Sequence, residues 1–259
     1  IAVGISSAAA MLRAAREALL YSEFREAFGQ RIGEFALAAK QVKDIQSTAQ
    51  RTTAASFKVY DQYLRMGKKL QGGLGASKPG EEERRRFDIR ELIIIQKLVT
   101  AYEAVDVLRK ALSLFGGHGV IEDFSALPRL FRDATVNELW EGPRNVLLMQ
   151  AFRDLQRVAA WYPPEEFVAS ILEGVPGDVV RDFAGTLKAF LEKPPFGERD
   201  EASMQRAEAW ETFCDDLFHA YQEQAVKEIG AVPILAEQKR AALAAWSNGS
   251  SQQAERQRE

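Results

Sequence analysis

The residues best suited to chemistry lie in one stretch of the chain, residues 115–154. It runs from a glycine-rich turn through an amphipathic segment to Glu141, Gly142 and Pro143. Pro143 suits the first turn of a following helix, where its missing N–H costs nothing. A carboxylate at Glu141 can cap the exposed N–H groups of that helix and favour its dipole. It can also take up a proton if its surroundings are dry, because desolvation raises the pKa of a carboxyl group.

The glycine-rich turn, residues 116–119, is predicted to end a long helix, because glycine adopts the left-handed conformation that helix ends require. His118 lies inside this turn and is interpreted as a turn residue. His118, His219 and the single cysteine, Cys214, form no cluster at zinc-ligand spacing, so the sequence predicts no metal site.

The order and spacing of these residues resemble those of the acyl-CoA dehydrogenases. In that family a Phe-Gly-Gly-x-Gly turn is followed by Arg-Asp-Ala, six residues and then Glu-Gly. The corresponding residues are 115–119, 132–134 and 141–142. A second block, residues 25–29 (Arg-Glu-Ala-Phe-Gly), matches the family's segment between its first two long helices. The resemblance covers residues 1–160.

The resemblance implies an FAD-dependent acyl-CoA dehydrogenase. Glu141 would remove the proton alpha to the thioester carbonyl while the beta hydride passes to flavin, which gives a 2-enoyl-CoA. Gly142 and Arg153 would contact the acyl-CoA substrate. An electron-transfer flavoprotein would accept the electrons, and the intact protein would form a homodimer or homotetramer.

The resemblance also implies an FAD site that is shared across a subunit interface. Arg25 and Phe28 would contact the pyrophosphate and adenine end of the cofactor. Gly116 and Gly117 would let the backbone approach the adenosine. The predicted cofactor-binding residues are Arg25, Phe28, Ser113, Gly116, Gly117 and Pro143.

Three positions depart from the family's pattern. Ala36, Ser113 and Pro143 stand where the family often has Gln, Gln and Thr, and each change removes a side-chain hydrogen bond to the cofactor. Judged without the family, Arg25 is a charge at a helix C-terminus and Phe28 is a core residue.

Apolar residues at helical spacing predict an all-α chain. Short turns between long helices favour an up-down four-helix bundle, and a Trp-Tyr-Pro-Pro boundary at 161–164 leads into a helical C-terminal extension. The predicted long helices are 2–27, 34–72, 87–115 and 143–160, and the shorter ones are 165–173, 177–192, 201–229 and 232–246. The predicted domains are a bundle at 1–160 with an insertion at about 66–86, an extension at 161–247 and a disordered tail at 248–259.

The chain begins at Ile1, without Met and already in a helical pattern, so we expect a fragment or a processed piece. The family's preceding helical and strand domains complete the flavin and acyl-CoA pocket. We therefore expect that this chain alone does not oxidise acyl-CoA. With one cysteine and no visible signal peptide, the expected location is cytoplasmic.

Two alternatives stay open. The Trp-Glu-Gly-x-x-Asn-Val pattern also resembles the AidB-like branch of the family, which keeps the flavin fold and is linked to DNA binding and protection. The net charge of −3 and the pI of about 5.7 argue against a nucleic-acid partner. In the AidB-like alternative, the residues that would supply a basic surface for DNA are Arg129, Arg132, Arg144, Arg153 and Arg157.

The other alternative is a non-catalytic partner subunit whose bundle serves assembly.

Overall fold

The computed structural model describes residues 1–67, 80–197 and 200–231, and these residues are helical except for one short hairpin and the connecting turns. The predicted all-α class is confirmed. The helices are α1 (Ala2–Phe24), α2 (Ala36–Met66), α3 (Glu81–Phe115), α4 (Leu127–Leu139), α5 (Arg144–Val158), α6 (Pro164–Ile171), α7 (Gly177–Glu192) and α8 (Glu201–Ala231). The hairpin pairs β1 (Glu26–Ala27) with β2 (Gln30–Arg31) in antiparallel orientation.

The first four helices form an up-down bundle. The sequence predicted its fourth long helix at 143–160, but α4 takes that place and the apolar residues of α5 lie in a second core. Gly4 lies against Gln96 and Tyr21 bonds to Phe115, so α1 and α3 run in the same direction. The amide of Gln41, near the start of α2, reaches the end of α3, so α2 runs the other way. Small residues let these helices approach closely. The core of this half includes Met11, Ala14, Ala18, Ile45, Ala49, Ala104, Leu108, Ala111, Leu127 and Ala134.

A second apolar core is formed by the four helices α5, α6, α7 and α8 together with the first half of α3 and the middle of α2. Trp210 is fully buried in it, and its indole N–H donates to the carbonyl of Leu148 at 3.0 Å. Helices on both sides of the predicted domain boundary at residue 160 share this core, while the boundary itself stays a prediction. Its aromatic members include Phe87, Phe152, Tyr162, Phe167, Trp210, Phe213, Phe218 and Tyr221.

Several helix boundaries differ from those predicted, by two residues or fewer in α5, α6 and α8. Helix α2 runs from Ala36 to Met66, where a helix at 34–72 was predicted, and residues 68–72 lie outside the described residues. The boundaries of α1 and α3 differ for identifiable reasons. Helix α1 ends at Phe24 rather than at 27, because the hairpin follows and puts Phe28 (φ 53°) and Gly29 (φ 84°) in the left-handed region. Helix α3 begins at Glu81 rather than at 87. Acidic residues in a first turn favour the helix dipole, and Glu81 pairs with Arg85 one turn on.

Residues 81–86 therefore belong to α3, while the insertion predicted at about 66–86 stays a prediction. The rest of that insertion is mostly residues 68–79, which lie outside the described residues. The predicted helix 232–246 and the tail 248–259 also lie outside them. Among the helices that the structure describes, none is both long enough and apolar enough to cross a membrane.

A buried polar network docks α8 on the bundle. One oxygen of the Glu103 carboxylate accepts hydrogen bonds from Thr52 (2.7 Å) and from the amide of Gln222 (2.8 Å). The other oxygen accepts from Arg51 at 3.1 Å and lies 3.3 Å from His219 Nε2. Gln222 and His219 belong to α8, so this network connects the extension to α2 and α3 at the same carboxylate.

Glu91, also on α3, is fully buried, and neither of its oxygens has a hydrogen-bond partner within the described ranges. Burial, with a smaller contribution from the charge of Asp154, raises the pKa of Glu91 well above its usual range. We predict that Glu91→Met raises the free energy of unfolding by about 1–3 kcal/mol, because an unsatisfied buried polar group is removed. Urea denaturation measures this change.

The stability gain from Glu91→Met should depend on pH, because the pKa of Glu91 is raised in the folded protein. Since the folded pKa of Glu91 lies above the unfolded one, the carboxyl group costs more stability as pH rises between them. The gain from Glu91→Met should therefore be larger at about pH 8 than at about pH 5. Glu173→Met, at an exposed position, is the control. Equal gains at both pH values would contradict the prediction.

Candidate active site

Glu141 lies in the turn between α4 and α5, residues 140–143, which we call the Glu141 turn. The backbone is left-handed at two successive residues, with φ 58° at Glu141 and 105° at Gly142. A residue with a Cβ atom pays about 1 kcal/mol or more for this conformation, and such strain concentrates at functional sites. The turn closes on Pro143, whose carbonyl accepts the N–H of Leu147 at 3.2 Å. The Glu141 side chain is exposed.

The helix-capping interpretation of Glu141 is wrong. The N-cap of α5 is Pro143, two residues later, and no side chain of the described chain hydrogen-bonds to that cap. The carboxylate is therefore not committed to stabilising the helix start.

Gly142 is required by the shape of the turn. A Cβ atom at this position would lie 3.1 Å from Leu147 Cδ2, in addition to the cost of its positive φ. Its predicted contact with acyl-CoA stays a prediction, since the geometry alone explains why glycine stands here.

Lys97 holds the Glu141 turn from α3. Its ammonium group donates to the carbonyl of Gly142 at 2.6 Å and to the carbonyl of Glu138 at 3.0 Å. Only 6% of Lys97 is exposed. Burial lowers its pKa, and the charges of Glu141 and Glu138 partly offset this, so Lys97 and Glu141 interact electrostatically. Sequence analysis missed Lys97, because a single lysine within an apolar helix gives no signal for backbone partners 41 and 45 residues later.

We predict that Lys97→Met loosens the turn. Methionine preserves much of the apolar stem but leaves both carbonyls without their charged donor, which should cost about 2–3 kcal/mol. Hydrogen exchange of peptides covering residues 138–147 should accelerate, and urea denaturation should show the loss. Lys110→Met, at a more exposed ion pair on the same helix, is the control. Unchanged exchange in Lys97→Met would show that the lysine does not hold the turn.

An open groove of about 260 Å³ runs beside the turn, between α3, the end of α4 and the start of α5. It is smaller than the roughly 300–1,000 Å³ of a typical ligand pocket, so by itself it is too small to enclose a drug-sized ligand. Four large apolar side chains close to the groove in sequence are exposed. They are Val136, Leu139, Trp140 and Val146.

The predicted cofactor residues other than Pro143 lie at the opposite end of the bundle. The hydroxyl of Tyr21, near the end of α1, bonds to the carbonyl of Phe115 at 3.2 Å and lies 3.0 Å from His118 Nδ1, so the helix end that leads into the hairpin lies against the glycine turn. His118 also stacks on Phe124, with ring centroids 4.5 Å apart. His118 is thus part of the packing of this end, as its interpretation as a turn residue implied. We call this region, residues 25–35 and 113–121, the hairpin end.

The structure places the residues predicted to bind FAD at the hairpin end in different surroundings. The core interpretation of Phe28 is wrong, since 98% of it is exposed. Arg25 is the C-cap residue of α1 and is exposed. Added Cβ atoms at Gly116 and Gly117 would meet nothing within 4 Å, so the backbone there faces open space. Gly116 also ends α3 with φ 58°, as the glycine pattern predicted.

Ser113 is already engaged within the bundle. Its hydroxyl accepts from the amide of Gln41 at 2.8 Å and donates to the carbonyl of Lys110 at 2.9 Å. Ala36 is exposed at the start of α2 and offers no hydrogen bond from its side chain.

The structure does not gather all predicted residues into one site. Asn137, one turn before Glu141, bonds to Ser6 at 3.2 Å, whereas the hairpin end lies level with Tyr21. Fifteen residues of α1 separate these levels, which is about 22 Å at the helical rise per residue. Arg153 lies on the exposed face of α5, about 13 Å along that helix from its start.

The arginines considered for a basic surface are largely neutralised. Arg132 pairs with Glu122, and Arg157 pairs with Asp154 at 3.2 Å. Arg144 pairs with two carboxylates of α8. Three of the five arginines therefore contribute little free positive charge.

Comparison with known proteins gives the family. The sequence profile of "Acyl-CoA dehydrogenase, C-terminal domain" matches residues 1–156. Acyl-CoA dehydrogenase family member 11 of Caenorhabditis elegans is 36% identical over 81 residues, 31% of this chain and 13% of that protein. AidB of Escherichia coli (strain K12) is 32% identical over 84 residues, 30% of this chain and 15% of that protein.

Solved structures share this fold. Acyl-CoA oxidase-1 of Caenorhabditis elegans, solved with FAD and ATP, superposes with a TM-score of 0.66 at 16% identity. That match covers 90% of this chain and 39% of the oxidase, so it includes most of the extension, and the matched parts are less than half of each relative. Because the family profile covers more than half of the 259 residues, the chain belongs to the acyl-CoA dehydrogenase family, and residues 1–156 are its C-terminal domain.

Proposed function

We propose that this chain is the C-terminal part of an FAD-dependent acyl-CoA dehydrogenase in which Glu141 is the catalytic base. The observation that carries the proposal is the Glu141 turn: the backbone of Glu141 is left-handed, its carboxylate caps no helix, and Lys97 from α3 holds the carbonyl of the next residue. Family membership supplies the reaction class, and the turn supplies a residue that is chemically able to perform it.

The residues of the turn do the proton chemistry. A Glu141 carboxylate oxygen takes the proton alpha to the thioester carbonyl, and loss of the beta hydride completes the 2-enoyl-CoA. FAD, when bound, supplies the acceptor for that hydride. Leu139, Trp140 and Val146 are half exposed or more beside the turn and would exclude water once substrate covers them. Removal of water raises the pKa of a carboxyl group and makes it a better base.

The hairpin end fits the other part of FAD. Arg25 offers an exposed guanidinium, whose fork of donors suits phosphate, and Phe28 offers an exposed ring for an adenine. The open backbone at Gly116 and Gly117 permits close approach of an adenosine. Ser113 is a weaker candidate because its hydroxyl is already bonded to Gln41 and Lys110.

The separation of the two ends supports an assembly. Since the hairpin end lies about 22 Å from the level of the Glu141 turn, we propose that it binds the adenosine end of a flavin that reacts beside Glu141 of the partner subunit. This requires a homodimer or homotetramer. The proposed electron acceptor is an electron-transfer flavoprotein.

Anaerobic titration tests the proposal. The full-length product of the gene that encodes this chain is titrated with saturated acyl-CoAs of increasing chain length while flavin absorbance is followed. Bleaching by one class of chain length is the expected result. Re-oxidation by an electron-transfer flavoprotein, faster than by dissolved oxygen, would support the proposed acceptor. Bound flavin that no acyl-CoA reduces would contradict the dehydrogenase.

The second candidate is an AidB-like protective flavoprotein, which the 32% identity to AidB favours. It predicts DNA binding that weakens steeply as salt rises, because phosphate contacts release counterions. The ion pairs of Arg132, Arg144 and Arg157 argue against a strong basic surface. Absent or salt-insensitive DNA binding would exclude this candidate.

A further inference from the structure

Arg144, the first residue of α5, carries its positive charge at the end of the helix where the dipole disfavours it. A residue that breaks a local rule indicates that something else in the fold compensates. The Arg144 side chain is only 19% exposed, so its charge needs partners. It directly follows the Glu141 turn.

Those partners lie on α8. One terminal nitrogen of Arg144 lies 2.7 Å from both carboxylate oxygens of Asp215, and Nε donates to Glu211. Glu211 and Asp215 are four residues apart and therefore share one face of α8. Paired hydrogen bonds between a guanidinium and carboxylates are strong and fix orientation as well as distance.

The remaining arm of Arg144 reaches α3. Nη1 donates to the carbonyl of Leu98 at 3.1 Å, and the guanidinium lies 5.1 Å from the centre of the Tyr102 ring. Next to Leu98, Lys97 donates to the carbonyl of Gly142 at 2.6 Å. Residues 142–144 and residues 97–98 are thus held together by two hydrogen bonds that run in opposite directions, and α8 closes this arrangement from outside.

Helix α8 is a firm support for such a contact. Trp210, one residue before Glu211, is fully buried and bonds to the Leu148 carbonyl of α5 at 3.0 Å. Further along α8, Gln222 bonds to Glu103 at 2.8 Å. The helix is therefore anchored on both sides of Asp215 and cannot shift there without disturbing the core.

We propose that α8 is a positioning element for the Glu141 turn: Glu211 and Asp215 fix Arg144, and through it the direction in which Glu141 points. The proposal rests on the proposed role of Glu141 as the base. Without the contact, the start of α5 is released on its α8 side. A displacement of 1 Å at a reacting group can reduce a rate about 100-fold, whereas contacts to the rest of the substrate would persist.

The test uses the double variant Glu211→Gln/Asp215→Asn in the full-length protein. The limiting rate constant of flavin reduction by acyl-CoA should fall about 10- to 100-fold, with the dissociation constant of acyl-CoA changed less than about twofold. The pH dependence of reduction should also shift, because the surroundings of the base change. Glu228→Gln, which breaks the 2.8 Å ion pair of α8 with Lys58 far from the turn, should react like the parent protein.

A second readout does not depend on activity. Hydrogen exchange of peptides covering residues 138–147 should accelerate in the double variant and not in Glu228→Gln. If the double variant does not fold, Asp215→Asn alone is measured in the same way. Parent-like rate and exchange would overturn the proposal. Loss of FAD and of substrate affinity together with rate would also overturn it, in favour of a general structural role for α8.

Glu141→Gln, measured in parallel, separates the two proposals. If that variant still reduces flavin normally, the base assignment fails, while the exchange data still show whether α8 holds the turn. If Glu141→Gln is inactive but the α8 variants react normally, only the positioning role is wrong.

Discussion

Glu141→Gln in the full-length protein is expected to lower the rate constant of flavin reduction by acyl-CoA about 10²- to 10⁴-fold, the usual contribution of a positioned general base. Glutamine has nearly the same size but cannot accept the alpha proton. Both side chains are unbranched at Cβ, so the left-handed backbone at φ 58° should be tolerated equally well. Stopped-flow measurement of flavin bleaching under anaerobic conditions gives the rate constant directly.

Stability and affinity distinguish this outcome from a structural one. Since Glu141 caps no helix, Glu141→Gln should change the free energy of unfolding by less than about 0.5 kcal/mol. FAD content and acyl-CoA affinity should also be retained. Glu173→Gln, at an exposed position of the extension, is the matched control and should react normally. Full activity in Glu141→Gln would remove Glu141 from the mechanism.

A further variant uses the strain of the turn. Glu141→Gly should abolish reduction as completely as Glu141→Gln, yet raise the free energy of unfolding by up to about 1 kcal/mol, because glycine adopts positive φ without cost. A stabilised but inactive protein would show that the strain is kept for function. A destabilised one would show that the glutamate side chain supports the fold.

The long helices could be predicted from the sequence because the spacing of apolar residues within each helix shows which face is buried. Apolar residues repeat at helical spacing along α2, α3 and α5, and Gly116 marks the end of α3. The hairpin was missed because two-residue strands have no periodicity to detect. The first turn of α3 was missed because a run of charged residues is equally compatible with a loop. In the structure, the Glu81–Arg85 ion pair and the helix dipole favour the helix.

The site was predictable only in part, for a related reason. Glu141 and Gly142 are recognisable because the family fixes their spacing. Lys97 acts on backbone carbonyls, which every residue has, so no pairing pattern could identify it. Arg144 was grouped with surface arginines because its carboxylate partners stand 67 and 71 residues later, on a helix that no motif connects to the turn. Such contacts arise from the way helices pack.

Glu103→Gln is expected to have the largest effect on stability, lowering the free energy of unfolding by about 3 kcal/mol. Breaking a buried ion pair typically costs about 3–5 kcal/mol, and the lower figure applies because the Arg51 side chain is 27% exposed. The variant also turns an amide N–H₂ toward hydrogen-bond donors such as Gln222, since glutamine can accept through one oxygen only. Urea denaturation followed by circular dichroism measures the loss.

Two comparisons test whether the Glu103 network is the cause of the stability loss in Glu103→Gln. Glu228→Gln removes an α8–α2 ion pair whose carboxylate is 43% exposed, and it should cost less than about 1 kcal/mol. A double-mutant cycle of Glu103→Gln with Arg51→Met should give a coupling energy of about 1 kcal/mol or more, because the two side chains are in direct contact. Additive effects would mean that the pair contributes only through separate contacts.

The stability difference should also depend on pH with a definite sign. Burial alone would raise the pKa of Glu103, but the hydrogen bonds that it accepts and the Arg51 charge lower it below its usual value. A carboxylate whose folded pKa is lowered stabilises the protein above its unfolded pKa, and this contribution is lost as pH falls through the folded pKa. The difference between the parent protein and Glu103→Gln should therefore be full at about pH 7 and clearly smaller at about pH 3. A constant difference across this range would show that Glu103 contributes to docking α8 by shape alone.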